Sequence, residues 1–188
     1  MKNSIKILSV LLLVFFAGCK KDDSSPGDAT SQIGHEEELI TSVLLIHYDS
    51  LKNVLDTAVY KDTDGIGGRS PTIDTLRLSR NSIYAVNIKF LDESNPSAIK
   101  DITMEIKEEG DEHLVCYQLF DASGVFMEIV DSDGLLPIGL ESRWKIDSTA
   151  QSSNGQLQLL LKHQPEFKDG SCGPGDTDVE VFFPIIFL

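Results

Sequence analysis

Cysteine, histidine and positive charge are all scarce in this 188-residue chain: three cysteines, four histidines, and 16 lysines and arginines against 30 acids, for a formal net charge of −14. Such an acidic excess repels phosphate at long range, so nucleic acid and bare anionic lipid are excluded as partners, and cations or a partner with basic loops are favoured. No CxxC or HExxH motif fixes a metal at short spacing. No G-x-S-x-G elbow presents a serine, and no glycine-rich loop opens a helix to cradle phosphate. Catalysis therefore has no motif to rest on, and the chain reads as non-enzymatic. Repeats at solenoid periods are absent too. The apolar run at 7–17 is eleven residues long and broken by Ser9, too short to cross a bilayer as a helix.

That run follows Lys2 and Lys6 and stops at Phe16-Ala17-Gly18-Cys19, the layout of a targeting segment. Small residues before a cysteine resemble the lipobox of bacterial lipoprotein signal peptides, with Phe16 where leucine is usual. The resemblance implies cleavage before Cys19 and acylation of its sulfur. Several acyl chains, each contributing about 0.8 kcal/mol per buried methylene, would then hold the protein at a membrane. The expected segments are a signal peptide at 1–18, the lipidated cysteine with a flexible tether at 19–33, and a single β domain at 34–188. From Lys20 to Asp28 the tether has no residue that could anchor a core. Its paired Asp22 and Asp23 resemble the export signal that places lipoproteins on the outer leaflet. The expected location is thus the outer membrane, at the cell surface, with a periplasm-facing position as the alternative. Removing 1–18 takes away two lysines and no acid, moving the net charge to −16 over 170 residues.

Alternation of apolar and polar residues dominates the remainder, which is long enough for one core. Tyr84, Val86, Ile88 and Phe90 fall on one face and Ala85, Asn87 and Lys89 on the other, as a half-buried strand requires. Val179, Val181 and Phe183 repeat the pattern against Asp178 and Glu180. Further strands are expected at 39–48, 53–61, 72–78, 114–120, 125–130, 142–146 and 157–163. Asp121-Ala122-Ser123-Gly124 reads as a hairpin loop and Asn154-Gly155 as a tight turn. From Ser97, a candidate N-cap, Ile99, Ile102 and Ile106 recur at helical spacing up to Gly110, which predicts one short helix. The expected fold is all-β: an antiparallel immunoglobulin-like β-sandwich with one short helix, or alternatively a lipocalin-like β-barrel. Cys116 lies in an alternating stretch and Cys172 in the loop 170–175; a bridge and two separate thiols are both open.

Two constellations carry candidate chemistry. Glu108-Glu109-Gly110-Asp111-Glu112-His113 crowds four carboxylates around one imidazole, a donor set suited to zinc or a related divalent cation. His163 continues the face of Leu157, Leu159 and Leu161 and is the expected distant partner. The expected metal set is therefore His113, His163, Asp111 and Glu112, with His35 as a further candidate; a solvated acidic turn is the plainer reading. Asp62 and Asp64, before Gly65, are placed as a calcium loop, echoed by Asp131-Ser132-Asp133-Gly134. Asp and Gly are equally what tight turns demand, and position 5 from Asp62 is Ile66, which rules out an EF-hand. The run 135–140 and Trp144 form either an apolar contact surface or a plug closing one end.

Several short blocks resemble a family of small acidic Gram-negative outer-membrane lipoproteins: Glu36-Glu37-Glu38-Leu39-Ile40-Thr41, Asp62 to Gly68, Asp74-Thr75-Leu76, Asn81-Ser82-Ile83-Tyr84, Leu91 to Ser94, Asp111-Glu112-His113 and Asp178-Val179-Glu180-Val181. An α/β periplasmic-binding fold, a label some members carry, is not what the alternation here indicates. The resemblance implies a lipid-anchored binding module that assists nutrient or metal uptake beside a TonB-dependent receptor. A structural or adhesive surface lipoprotein without a small ligand is the alternative.

Overall fold

The computed structural model describes residues 39–188, apart from residue 66. The expected signal segment at 1–18, Cys19, the expected tether up to residue 33 and His35 lie outside the described residues. Nine strands and one helix follow in chain order: β1 Ser42–Tyr48, β2 Val54–Lys61, β3 Thr72–Ile73, β4 Leu76–Leu78, β5 Ser82–Asp92, β6 Lys100–Asp101, α1 Thr103–Glu108, β7 His113–Ile129, β8 Glu141–His163 and β9 Asp176–Phe187.

The strands form one hydrogen-bonded mixed sheet in the order β3-β2-β1-β5-β8-β9-β4, with β6 on β5 and β7 on β8. All-β is the fold class. The sheet curls because β8 is long enough to serve two neighbours on one side: its first part pairs with β5 from Glu141 to Ile146, and its last part with β9 from Gln156 to His163. Along its other side runs β7, paired from His113↔His163 to Ile129↔Ser142. The segment 138–140 fills the gap between β7 and β5, since Val115 donates its N–H to Ile138 O and Ile88 donates to Leu140 O. One pair departs from the antiparallel expectation, because β4 runs parallel to β9 from Leu76↔Ile185 to Leu78↔Phe187.

Tyr84, Val86, Ile88 and Phe90 point into the core as the alternation requires, joined by Val181, Phe183 and the fully buried Trp144. Ile138 and Leu140 are also buried, so the 135–140 run plugs the core, while Leu135 alone stays 88% exposed. Two expected turns are corrected. Asp121 and Gly124 do have positive φ, at 48° and 80°, but they sit at bulges inside one continuous strand, β7. Asn154, with φ 61°, likewise lies within β8. Positive φ serves a bulge as well as a turn, and the bulges let both long strands bend around the core. A Cβ at Gly124 would sit 2.8 Å from the Ala150 Cα, so the bend also needs the missing side chain.

The helix is shorter than its periodicity predicts. Asn95 Oδ1 accepts the N–H of Ser97, which makes a turn there, and Asp101 Oδ1 accepts the N–H of Thr103 where the helix begins. Ile106 on α1 and Ile102 just before it are buried and Ile99 is exposed, so the helix itself adds one residue to the core and its N-cap another.

Candidate metal centre

His113 opens β7 and His163 closes β8, and the two face each other as a pair in the ladder. Antiparallel partners hold their Cβ atoms about 5 Å apart. Their rings therefore stack, with centroids 4.8 Å apart and planes 9° from parallel. His113 follows the inward alternation of Val115 and is 1% exposed.

The third group comes from β9. Val179 pairs with Leu161 and Thr177 with Lys162, leaving Asp178 as the extra residue of a β-bulge. Bulges re-aim side chains, and this one turns the Asp178 carboxylate inward, with Oδ2 3.9 Å from His113 Nε2 and the side chain 5% exposed. Lys162 holds the bulge in place, because its ammonium donates to Gly175 O at 2.8 Å and to Thr177 Oγ1 at 2.9 Å. One donor atom each from His113, His163 and Asp178 lies within 4.8 Å of the others, so the ends of three adjacent strands present a cluster of two imidazoles and a carboxylate.

The expected acidic turn contributes differently from its sequence reading. Glu112 joins the cluster, with Oε2 3.3 Å from His163 Nε2. Glu109 acts through its backbone, whose carbonyl faces His113 Nδ1 at 3.1 Å. A carbonyl only accepts, so Nδ1 carries the proton and Nε2 presents its lone pair toward Asp178, the orienting arrangement typical of metal-binding histidines. Asp111 is exposed and contributes no donor atom to the group. Burial pulls the His113 pKa below its ordinary value, aided by His163 and opposed chiefly by the bond to Glu109 O, then by Asp178 and Glu109. The ring is therefore neutral, the form that ligates, at pH values where an exposed histidine begins to protonate.

The loop 164–175 frames the cluster. Gln164 donates its backbone N–H to Glu112 O at 2.6 Å and its side-chain amide to Ser171 O and Pro174 O. Lys168 reaches Gly110 O and Asp133, so one buried ammonium ties three loops together. The Leu136 N–H first, then Lys168 and the Leu135 N–H, lower the Asp133 carboxyl to a pKa of about 2 against the opposing effect of burial. Cys116 and Cys172 are joined by a disulfide, 56 residues apart in sequence.

Asp62 and Asp64 lie away from this centre and join no cluster of three donors among the described residues. Asp62 Oδ1 accepts the Gly65 N–H at 3.1 Å, and Asp64 Oδ2 accepts the N–H and Nε–H of Arg69 at 3.1 and 3.3 Å. Asp131 likewise accepts the N–H groups of Gly139 and Leu140. The bonds of Asp62 and Asp64 fold the 62–69 loop, and those of Asp131 close the loop up to Leu140. A comparison of the chain with family models, curated proteins and solved structures finds no match.

Proposed function

We propose that this domain is a non-enzymatic binding module for a divalent transition cation, tethered through Cys19 to the outer membrane and serving uptake beside an outer-membrane receptor. The observation that carries the reading is the convergence of His113, His163 and Asp178, with Glu112 beside them, from three neighbouring strand ends. Two imidazoles and one or two carboxylates suit zinc and its neighbours in the transition series; calcium and magnesium prefer sets made of oxygen alone. A net charge of −14 for the whole chain, and −16 once residues 1–18 are removed, draws cations in. The receptor and the membrane rest on the lipoprotein-like features of the sequence.

For the finer architecture we read an open, curled barrel in preference to two stacked sheets. The continuous hydrogen bonding through β8 and the 138–140 bridge between β7 and β5 support it. Its interior is filled by Trp144, Phe90 and Phe183, so a ligand has its place at the end of the barrel.

Calorimetric titration of the full chain, purified in detergent, with zinc is the test. One ion should bind with a Kd in the micromolar range or tighter, equivalent to about −8 kcal/mol. An adhesive or structural lipoprotein would show no uptake below roughly 1 mM.

A further inference from the structure

The donors His113, His163 and Asp178 come from β7, β8 and β9, which lie side by side in the order β7-β8-β9. The disulfide spans the same three ends. Cys116 is three residues past His113 on β7, and Cys172 belongs to the 164–175 connection that leaves β8 after His163 and enters β9 two residues before Asp178. Alternation along β7 puts Cys116 on the face opposite His113. The bridge therefore clamps the β8–β9 connection over the outside of the strand whose inner face carries the cluster.

Reach and chemistry differ between its two sulfurs. Cys116 is 4% exposed, whereas Cys172 lies in an exposed loop tip with Ser171 and Gly173. Exposed disulfides are the ones that exchange readily. The placement of Asp178 depends on the bulge, and the bulge depends on where Gly175 and Thr177 sit against Lys162. Gly175 has φ 75°, and a Cβ there would lie 2.1 Å from His163 O, so the connection passes hard against the second histidine. Movement of this loop is thus transmitted to both ends of the donor set.

We propose that the Cys116–Cys172 disulfide gates the metal centre: closed, it keeps the three strand ends close enough for their donors to converge on one ion, and opened, it lowers affinity. This rests on the metal-binding reading above. The opening step is thiol–disulfide exchange with a dithiol. One reductant thiolate attacks Cys172 Sγ, the S–S bond breaks, and Cys116 leaves as a thiolate that takes up a proton. The second reductant thiol then displaces Cys172, leaving two cysteine thiols and the reductant as its own cyclic disulfide. Two electrons and two protons pass to the protein.

The test is zinc titration of the full chain in detergent, comparing the oxidised wild type with the Cys116→Ser/Cys172→Ser double variant, which has no thiol at either position to ligate zinc. The variant should bind at least tenfold more weakly while keeping its far-ultraviolet circular dichroism. Binding within twofold of the wild type would overturn the gate and leave the metal centre standing. No zinc uptake by the oxidised wild type would overturn both. If the serine pair fails to fold, the wild type is reduced anaerobically, its two thiols are capped with iodoacetamide so that they cannot ligate zinc, and the product, freed of reagents, is titrated. Occupancy must then fall relative to the oxidised protein, and unchanged occupancy overturns the gate.

Discussion

His163 lies flat against His113, and this stacking sets a condition on any shared ion. Two nitrogen donors on one tetrahedral zinc sit about 3.4 Å apart, given Zn–N bonds of 2.0–2.1 Å. Donor atoms spread over 4.8 Å must draw together, and parallel rings must tilt so that their lone pairs converge. Zinc should therefore unstack the pair. Proton NMR of the histidine ring resonances checks this: both rings must shift in step with one equivalent of zinc.

Asp178 and Asp111 separate the centre seen here from the acidic turn read in the sequence. Asp178→Asn should weaken zinc at least tenfold, because it removes the buried carboxylate of the cluster. Asp111→Asn should change it by less than twofold. Calorimetry on the two variants decides, and the opposite order would return the site to the solvated turn.

His47 predicts how stability responds to acid. It is 1% exposed, its ring tilted 30° against that of Tyr84 with centroids 5.2 Å apart, and the Asp56 carboxylate lies 3.9 Å away on β2. Burial lowers its pKa below 6.5, and Asp56 only partly opposes this. In a group shifted this way the unfolded state takes up the proton first. The contribution is complete above 6.5, the ordinary value, and is lost as pH falls from there toward the folded-state pKa. His47→Phe should flatten the fall in melting temperature below that pH, leaving the share due to His113, which burial also shifts down. Parallel curves for the two proteins would remove His47 from the account.

Val86 and Lys89 test the face assignment of β5. Val86→Asp buries an unpaired carboxylate at a fully buried position and should cost about 3 kcal/mol or more. Lys89→Asp breaks a half-exposed ion pair with Asp101 at 3.6 Å and should cost less than about 1 kcal/mol. Urea melts give both figures; equal costs would mean that the face assignment of β5 is wrong.

Cys19→Ser tests the anchor. Without the thiol there is nothing to accept the acyl group, so metabolic labelling with a fatty acid should vanish and the precursor should accumulate. Undiminished label would sink the lipoprotein reading.

The strands of the core were legible because one-sided burial writes a period of two into the sequence, as Tyr84 to Phe90 show. His163 was legible for the same reason, continuing the apolar face of Leu157, Leu159 and Leu161 to the strand end, and His113 because four carboxylates crowd the residues just before it. Asp178 was not. Alternation places it outward, and the bulge that turns it inward is fixed by contacts of Lys162 with residues more than a dozen positions away. The only signal in the sequence is a lysine set among leucines at the end of β8. Long strands with bulges were misread as hairpins because Asp121, Gly124 and Asn154 satisfy the local chemistry of both. Which neighbour β8 bends toward is a property of the whole sheet, and no local pattern encodes it.

The parallel seam between β4 and β9 joins Leu76 to Ile185, and Arg80 and Leu188 extend it by a further backbone bond. Pairings so distant along the chain are slow to find, since the intervening loop must be closed before any contact repays it. Leu76 and Leu78, fully buried in the finished domain, have no strand beside them on this side until β9 arrives. Pairing with β9 thus completes the core on this side. Until the seam closes, the apolar edges of β4 and β8 are open to other chains, the kind of edge at which β-rich domains aggregate.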